Sequence, residues 1–182
     1  DGLSDIVFMT SRNGVHWDRR FMEPFIAPGL DGDNWTDRCL TVGPGLVPTG
    51  VNEMSLYYKE HNRLPTSRMR RGTLRTDGFA SIHAGYAGGQ FVTKPPIFEG
   101  RELVINYQTS AVGSVRVEIQ DEGGMPLPGF GLEACTPIFG DEVERVVTWD
   151  RSRDLQELVG SPVRLRFAMD KVADIYSLRL KS

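Results

Sequence analysis

The segment from Asp31 to Asp37 is the part of the sequence richest in oxygen ligands. It reads Asp-Gly-Asp-Asn-Trp-Thr-Asp, so it carries three carboxylates and one amide. Calcium takes six to eight oxygen ligands, and such a segment has suitable donors. The spacing of an EF-hand and its terminal glutamate are absent, however. We therefore expect a solvated acidic loop, and we assign no metal site and no cofactor to this chain.

The other reactive side chains lie far apart in the sequence. His16 and His83 have no neighbours at metal-ligand spacing, and neither a Ser-His-Asp arrangement nor a phosphate-binding glycine loop is recognisable. Cys39 and Cys135 are the only two cysteines, which is too few for a disulfide framework or a zinc site. We expect two buried free thiols, although one bridge is the alternative in a secreted protein.

Charge and hydropathy exclude two classes of partner. The formal net charge is −3 at pH 7, so neither nucleic acid nor an anionic membrane is expected as a partner. The arginines of residues 68–75 alternate with Met69 and Leu74, which indicates a strand with one solvated face rather than a basic patch. The sequence contains no apolar run of about 18 residues, so we expect no membrane span.

Turn-forming residues indicate the fold class. The 182 residues include 20 glycines and 11 prolines, a proportion that favours a turn-rich, all-β chain over a helical one. The Asn13-Gly14 pair predicts a turn in a hairpin that spans residues 4–25. Alternation of apolar and polar residues predicts strands at 53–60 and 68–74.

Beyond residue 85 the spacing of predicted strands becomes regular, which is typical of a β-sandwich. The predicted strands are residues 101–108, 114–121, 142–149, 163–169 and 175–180. Val115, Val117 and Ile119 share one face of their strand, as half-buried strands require. One helical turn is expected at residues 154–159, ended by Gly160.

An ordered series of motifs gives the chain a family resemblance. The turn Ser-Arg-Asn-Gly-Val-His-Trp of residues 11–17 resembles the outer hairpin of β-propeller blades in carbohydrate-active enzymes. It is followed by RGTLRTDGF at 71–79, GRELVIN at 100–106, GSVRVE at 113–118 and VVTW at 146–149. In this order the motifs resemble the C-terminal region of bacterial proteins similar to glycoside hydrolase families 32 and 43, in which a five-bladed propeller precedes a β-sandwich.

The resemblance implies both an architecture and a binding site. Residues 1–84 are expected to be partial β-propeller blades, and residues 85–182 to be the C-terminal β-sandwich. An inner blade strand near residues 36–42 implies that the substrate-binding residues are Trp35, Asp37, Arg38 and His61. An aromatic face packs on the C–H face of a sugar, while charged groups hydrogen-bond its hydroxyls. The alternative is structural: Asp37 pairs with Arg38, and Trp35 covers a loop.

Catalysis in these families uses two carboxylates that flank the scissile bond. The chain lacks the Asn-Asp-Pro and Arg-Asp-Pro motifs of these families, and Glu133-Ala134-Cys135 lies in the predicted sandwich, away from the position of the family's acid. We therefore expect no complete catalytic set in this chain. The predicted function is that of the C-terminal part of a carbohydrate-active protein. The alternative is a non-catalytic carbohydrate-binding, structural or oligomerisation module. The sequence does not distinguish a cytoplasmic from a secreted location.

The propeller assignment also predicts a protein partner. About one and a half blades cannot bury both faces of their sheets. We therefore expect residues 1–76 to pair with a preceding stretch of propeller chain that is missing from this sequence, or with a second copy of the chain.

Overall fold

The computed structural model describes residues 2–36, 38–97, 99–150 and 154–182. Within these ranges the chain is all-β, with several antiparallel sheets and no helix of seven or more residues, as its composition predicted. It divides into two units, Asp1–Phe79 and Ala80–Ser182. The sequence placed the boundary between residues 84 and 85. In the structure residues 82–84 belong to the second unit, because they form an edge strand that pairs with residues 173–175.

The first unit begins with the expected hairpin. Its strands are β1 (Ile6–Val7), β2 (Thr10–Ser11), β3 (Trp17–Asp18) and β4 (Pro24–Ile26). Antiparallel pairing joins β1 to β4 and β2 to β3. The Oδ1 atom of Asn13 accepts hydrogen bonds from the backbone N–H groups of Val15 and His16 at 3.0 and 2.8 Å. Gly14 supplies the positive φ of 71° that the turn requires.

A meander follows in the same unit. Its strands are β5 (Thr41–Val42), β6 (Val47–Gly50), β7 (Glu53–Glu60) and β8 (Arg68–Arg75). The central strand β7 pairs with β8, β5 and β6, always antiparallel. Gly43-Pro44-Gly45 separates β5 from β6, since proline lacks the N–H that a continuous ladder needs. The predictions of strands at 53–60 and 68–74 are therefore confirmed.

The described residues of the second unit form seven strands in two antiparallel sheets. They are β9 (Ile82–Ala84), β10 (Gly89–Val92), β11 (Glu102–Thr109), β12 (Ser114–Gln120), β13 (Asp141–Val146), β14 (Arg164–Asp170) and β15 (Ala173–Lys181). One sheet has the order β10-β14-β12, and the other has the order β13-β11-β15-β9. The expected helical turn is a 3-10 turn at Gln156–Leu158, and Gly160 follows it with a φ of 79°.

Side chains from both sheets form one apolar cluster in the second unit. Its largest members are fully buried, and their polar atoms have partners: the Trp149 indole N–H donates to the Val117 carbonyl at 2.8 Å. The Tyr107 hydroxyl donates to the Phe139 carbonyl at 2.8 Å, and burial raises the pKa of Tyr107 to about 12. Cys135 lies in this cluster as a free thiol. Cys39 in the first unit is also buried and free, as expected.

The first unit buries much less apolar surface. Among its described residues, the buried apolar side chains are Cys39, Leu40 and Leu56. Its aromatic cluster consists of Phe8, Phe21, Phe25 and Phe79, whose ring centroids lie 5.2–6.1 Å apart where they contact. None of these four rings is buried. Burial of apolar surface is the main force that stabilises folded chains, so the first unit derives less stability from its own residues than the second.

Gly88 tests the packing at one edge of the second unit. Its φ is +74°, and a Cβ there would lie 2.7 Å from the carbonyl oxygen of Met169. Gly129 has a similar φ of +82° but open space around it, so it is a matched control. The positive φ alone costs about 1–2 kcal/mol for alanine. We expect Gly88→Ala to lower the free energy of unfolding, measured with urea, by at least about 1 kcal/mol more than Gly129→Ala does. Only the alanine at position 88 must also displace the backbone of Met169. Equal losses would contradict this packing.

Candidate functional site

The residues that follow Asp31 form a short 3-10 turn, Gly32–Asn34. Aspartate is a favoured residue at the start of such a turn because its side chain accepts from free backbone N–H groups. Here Asp31 Oδ1 accepts from the backbone N–H of Asp33 at 3.2 Å. The backbone N–H of Trp35 closes the turn by donating to the carbonyl of Gly32 at 3.0 Å. The acidic segment is therefore a defined turn.

A buried asparagine attaches this turn to the end of strand β7. The Nδ2 of Asn34 donates to the Pro28 carbonyl at 3.1 Å, and its Oδ1 accepts from the backbone N–H of His61 at 3.1 Å. Asn34 is 2% exposed, so both bonds are shielded from water. His61 leaves strand β7 with a φ of 54°, a conformation that few non-glycine residues adopt.

The imidazole of His61 lies between two carboxylates. Its side chain is 3% exposed, while those of Asp31 and Asp33 are 43% and 49% exposed. The Nε2 atom is 2.9 Å from Asp31 Oδ2, and Nδ1 is 3.6 Å from Asp33 Oδ2. The second distance exceeds the length of a hydrogen bond. Nδ1 is buried, and it has no hydrogen-bond partner among the described residues.

Two further charged residues, Arg68 and Glu60, extend the contact between His61 and Asp31. Arg68 donates to Glu60 Oε2 at 2.9 Å and to Asp31 Oδ2 at 3.1 Å. The hydrogen bond with His61, followed by that from the Asp33 backbone N–H, holds the pKa of Asp31 below its usual range. The hydrogen bond to Glu60 raises the pKa of Arg68. Both groups are therefore ionised at neutral pH, with Asp31 as an acceptor and Arg68 as a donor.

The structure brings two of the four predicted substrate-binding residues to this cluster. Trp35 directly follows Asn34, and its indole is 58% exposed with its Nε1 donating to the Gly29 carbonyl at 3.0 Å. His61 joins through the backbone bond to Asn34. Arg38 is exposed on the chain that leads to β5, with a φ of 51°. Asp37 lies outside the described residues.

Sequence reasoning missed the association of the two acidic residues with His61. The segment was recognised for its oxygen atoms, and His61 was assigned to a different role. Asp31 and His61 are separated by 30 positions. No local pattern joins residues at such a separation, although histidine directly after a long strand was a visible signal.

Two shallow hollows are lined by residues other than those of this cluster. One of about 420 Å³ lies beside the hairpin of the first unit and includes Arg12, His16 and Trp17. The other, of about 360 Å³, lies on the second unit and includes Arg116, Glu133 and Asp170. Neither hollow includes a predicted substrate-binding residue.

Comparisons of the chain with protein-family models, with curated proteins and with solved structures found no match. The resemblance to glycoside hydrolase families 32 and 43 therefore remains an expectation from the sequence. In the described part of the chain, none of the helices has the length and apolar character needed to cross a membrane.

Asn34 is the residue whose loss should disturb the site most. Asn34→Ala leaves the Pro28 carbonyl and the His61 N–H without their partner, which should lower the free energy of unfolding by about 2–4 kcal/mol. Asn62→Ala is the matched control, because Asn62 is less buried and its amide oxygen accepts from the side chain of Lys59 rather than from a backbone group. It should cost less than about 1 kcal/mol. Urea unfolding followed by the tryptophan fluorescence measures both, and equal effects would contradict the proposed attachment.

Proposed function

We propose that this chain is the C-terminal part of a carbohydrate-active protein and that the turn at Trp35 contributes one wall of its sugar pocket. The observation that carries this proposal is the exposed indole of Trp35, which is fixed by its hydrogen bond to Gly29 and directly follows a turn with two partly exposed carboxylates. An indole face on which a sugar ring can pack, next to groups that accept from hydroxyls, is the chemistry that carbohydrate binding needs.

Each residue of this wall has a distinct role in the proposal. Trp35 provides the apolar platform, and its fixed indole loses little side-chain entropy when a sugar binds. Asp31 and Asp33 accept hydrogen bonds from hydroxyl groups, while the exposed Arg38 donates to ring or hydroxyl oxygens. His61 is buried and bonded to Asp31, so it acts as a positioning residue that holds this carboxylate in place.

The same geometry argues against a complete catalytic centre at this wall. A general acid must be protonated at the working pH, but the pKa of Asp31 is lowered and its Oδ2 accepts from Arg68. Glycoside cleavage requires a protonated acid and a second carboxylate on opposite sides of the bond. We therefore propose that the wall binds sugar and that any hydrolysis by the parent protein uses carboxylates from outside this chain.

The proposed architecture is a pair of partial propeller blades followed by a β-sandwich. The hairpin of β1–β4 and the meander of β5–β8 support the blade assignment, because blades are built from consecutive antiparallel strands. The two sheets of the second unit, which contribute to one apolar cluster, support the sandwich assignment.

A second candidate function is a non-catalytic carbohydrate-binding module formed by the second unit. The hollow that includes Arg116, Glu133 and Asp170 favours it, because charged side chains around a depression hydrogen-bond sugar hydroxyls. The ring of Tyr86 is 75% exposed, and the Lys171 ammonium lies 6.0 Å from its centroid.

Trp35→Ala tests the sugar pocket. The wild-type chain is titrated with a panel of oligosaccharides that differ in sugar and linkage. Binding of the tightest ligand is then measured by calorimetry and by the NMR chemical shifts of the backbone amides. We expect Trp35→Ala to weaken this binding at least about tenfold, or about 1.4 kcal/mol. Trp17→Ala is the matched control, because Trp17 is 55% exposed and lies in the hairpin. It should bind like the wild type.

Two results would overturn the proposed pocket. One is the absence of binding to any sugar at millimolar concentration. The other is binding that survives Trp35→Ala while the amide shifts fall on residues 80–182, which would instead support the second candidate.

The apolar surface of the first unit supports the proposed protein partner of residues 1–76, either preceding propeller chain or a second copy. Leu30 and Val51 are 100% and 99% exposed, and Met69 on strand β8 is 62% exposed. Apolar side chains exposed to this extent gain free energy when a partner covers them. A strand such as β8, which pairs in the structure with β7 alone, can also accept another strand.

Light scattering on the chain by itself tests this partner. We expect a mass above the 20.3 kDa of one chain, since the apolar surface associates when preceding chain is absent. Met69→Lys should shift the equilibrium toward the monomer, whereas Met125→Lys, at a site 67% exposed in the second unit, should not. A monodisperse monomer with slow amide exchange throughout β5–β8 would contradict the proposal.

A further inference from the structure

We propose that His61 and Asp33 bind a divalent first-row transition-metal ion, represented by Zn²⁺, and that Asp31 orients the imidazole for this purpose. The proposal goes beyond the sugar pocket, because it concerns the buried Nδ1 atom of His61 and the carboxylate that faces it. One ligand atom from each of Asp31, Asp33 and His61 lies within 4.8 Å of the others.

The protonation of His61 provides the first step of the argument. Asp31 Oδ2 lies 2.9 Å from Nε2 and acts as the acceptor of this hydrogen bond, which places the imidazole proton on Nε2. The neutral ring then carries an electron lone pair on Nδ1. Metal-binding histidines commonly donate their other N–H to a carboxylate in this way, which fixes the tautomer and the ring orientation.

The surroundings of Nδ1 provide the second step. This atom is buried, it has no hydrogen-bond partner among the described residues, and it faces Asp33 Oδ2 at 3.6 Å. Two electron-pair donors that face each other at this distance repel unless a proton or a metal cation lies between them, and the His61 side chain is only 3% exposed to water. The unpartnered nitrogen is thus directed at the position that a metal ion bound to Asp33 occupies.

The distance between the two donors fits such an ion. Two ligands on a tetrahedral zinc ion, each bound at about 2.0–2.1 Å, lie about 3.3–3.4 Å apart. The observed 3.6 Å needs only a small adjustment of the partly exposed Asp33 side chain. Thr66 donates to Asp33 Oδ2 at 3.0 Å and limits the freedom of this carboxylate. Water can complete the coordination, because the two aspartates are partly exposed.

The donor set indicates the class of metal. Calcium and magnesium prefer oxygen ligands alone, whereas imidazole together with carboxylate suits zinc and its neighbours. Arg68 lies on the opposite side of the ring, bonded to Asp31 and Glu60. The positive charge of Arg68 balances the negative charge of Asp31. The negative charge of Asp33 can then balance part of the charge of the metal ion. The competing explanation is a second proton on His61, and the experiment must distinguish the two.

The test uses the full chain with Zn²⁺ in calorimetry and with Co²⁺ in visible absorption. We expect one ion per chain, and we expect His61→Gln and Asp33→Asn each to weaken binding at least about tenfold. Asp31→Asn should weaken it as well, because the ring loses its orienting carboxylate. His83→Gln is the matched control: His83 lies 3.0 Å from Asp174 but is 58% exposed, and this variant should bind like the wild type.

The ¹⁵N shifts of the imidazole identify the atom that binds. We expect the Nδ1 resonance of His61 to move on addition of Zn²⁺, while Nε2 stays protonated. Three outcomes overturn the proposal: no binding at about 100 μM Zn²⁺, binding that is lost in His83→Gln but kept in Asp33→Asn, or an imidazole that carries protons on both nitrogens in the presence of Zn²⁺. Asp33→Asn keeps an oxygen for Thr66, so it remains informative even where His61→Gln does not fold. None of these measurements depends on a sugar. A failure of the metal proposal can therefore be distinguished from a failure of the proposed sugar pocket.

Discussion

Asn34 connects the acidic turn to the end of strand β7, and the candidate site depends on this connection. Its amide bonds to the Pro28 carbonyl and to the His61 N–H, and it is shielded from water. A buried amide that satisfies two backbone groups is costly to move, because each group would lose its partner without gaining a water molecule. The placement of His61 at the turn that precedes Trp35 follows from this connection.

The two proposals for this turn depend on different side chains. The sugar wall depends on the exposed indole of Trp35, whereas the metal site depends on the buried Nδ1 of His61. Asp31 and Asp33 take part in both, because their side chains lie close to His61 and are partly exposed to solvent. A bound cation would hold the turn to the end of β7 more firmly, which would in turn keep the sugar wall in place.

Burial is distributed unequally along the chain, and this has consequences for association. The second unit has an apolar cluster to which both of its sheets contribute, with fully buried residues such as Tyr107, Trp149 and Phe167. The described residues of the first unit bury few apolar side chains and expose many, including Leu30 and Val51. The first unit would gain stability if a partner covered its sheets, since a sheet face stabilises a fold only when something covers it.

The sequence by itself determined the all-β class, the Asn13-Gly14 turn and most of the long strands, because these depend on the alternation and turn chemistry of neighbouring residues. It also indicated two free thiols and drew attention to Trp35 and the acidic segment. Tertiary structure alone decided that β10 and β12 flank β14, and that His61 lies against Asp31 rather than at the surface. Strand order and such contacts depend on which segments, distant in the sequence, bury their surfaces against each other. No pattern among neighbouring residues specifies these long-range pairings.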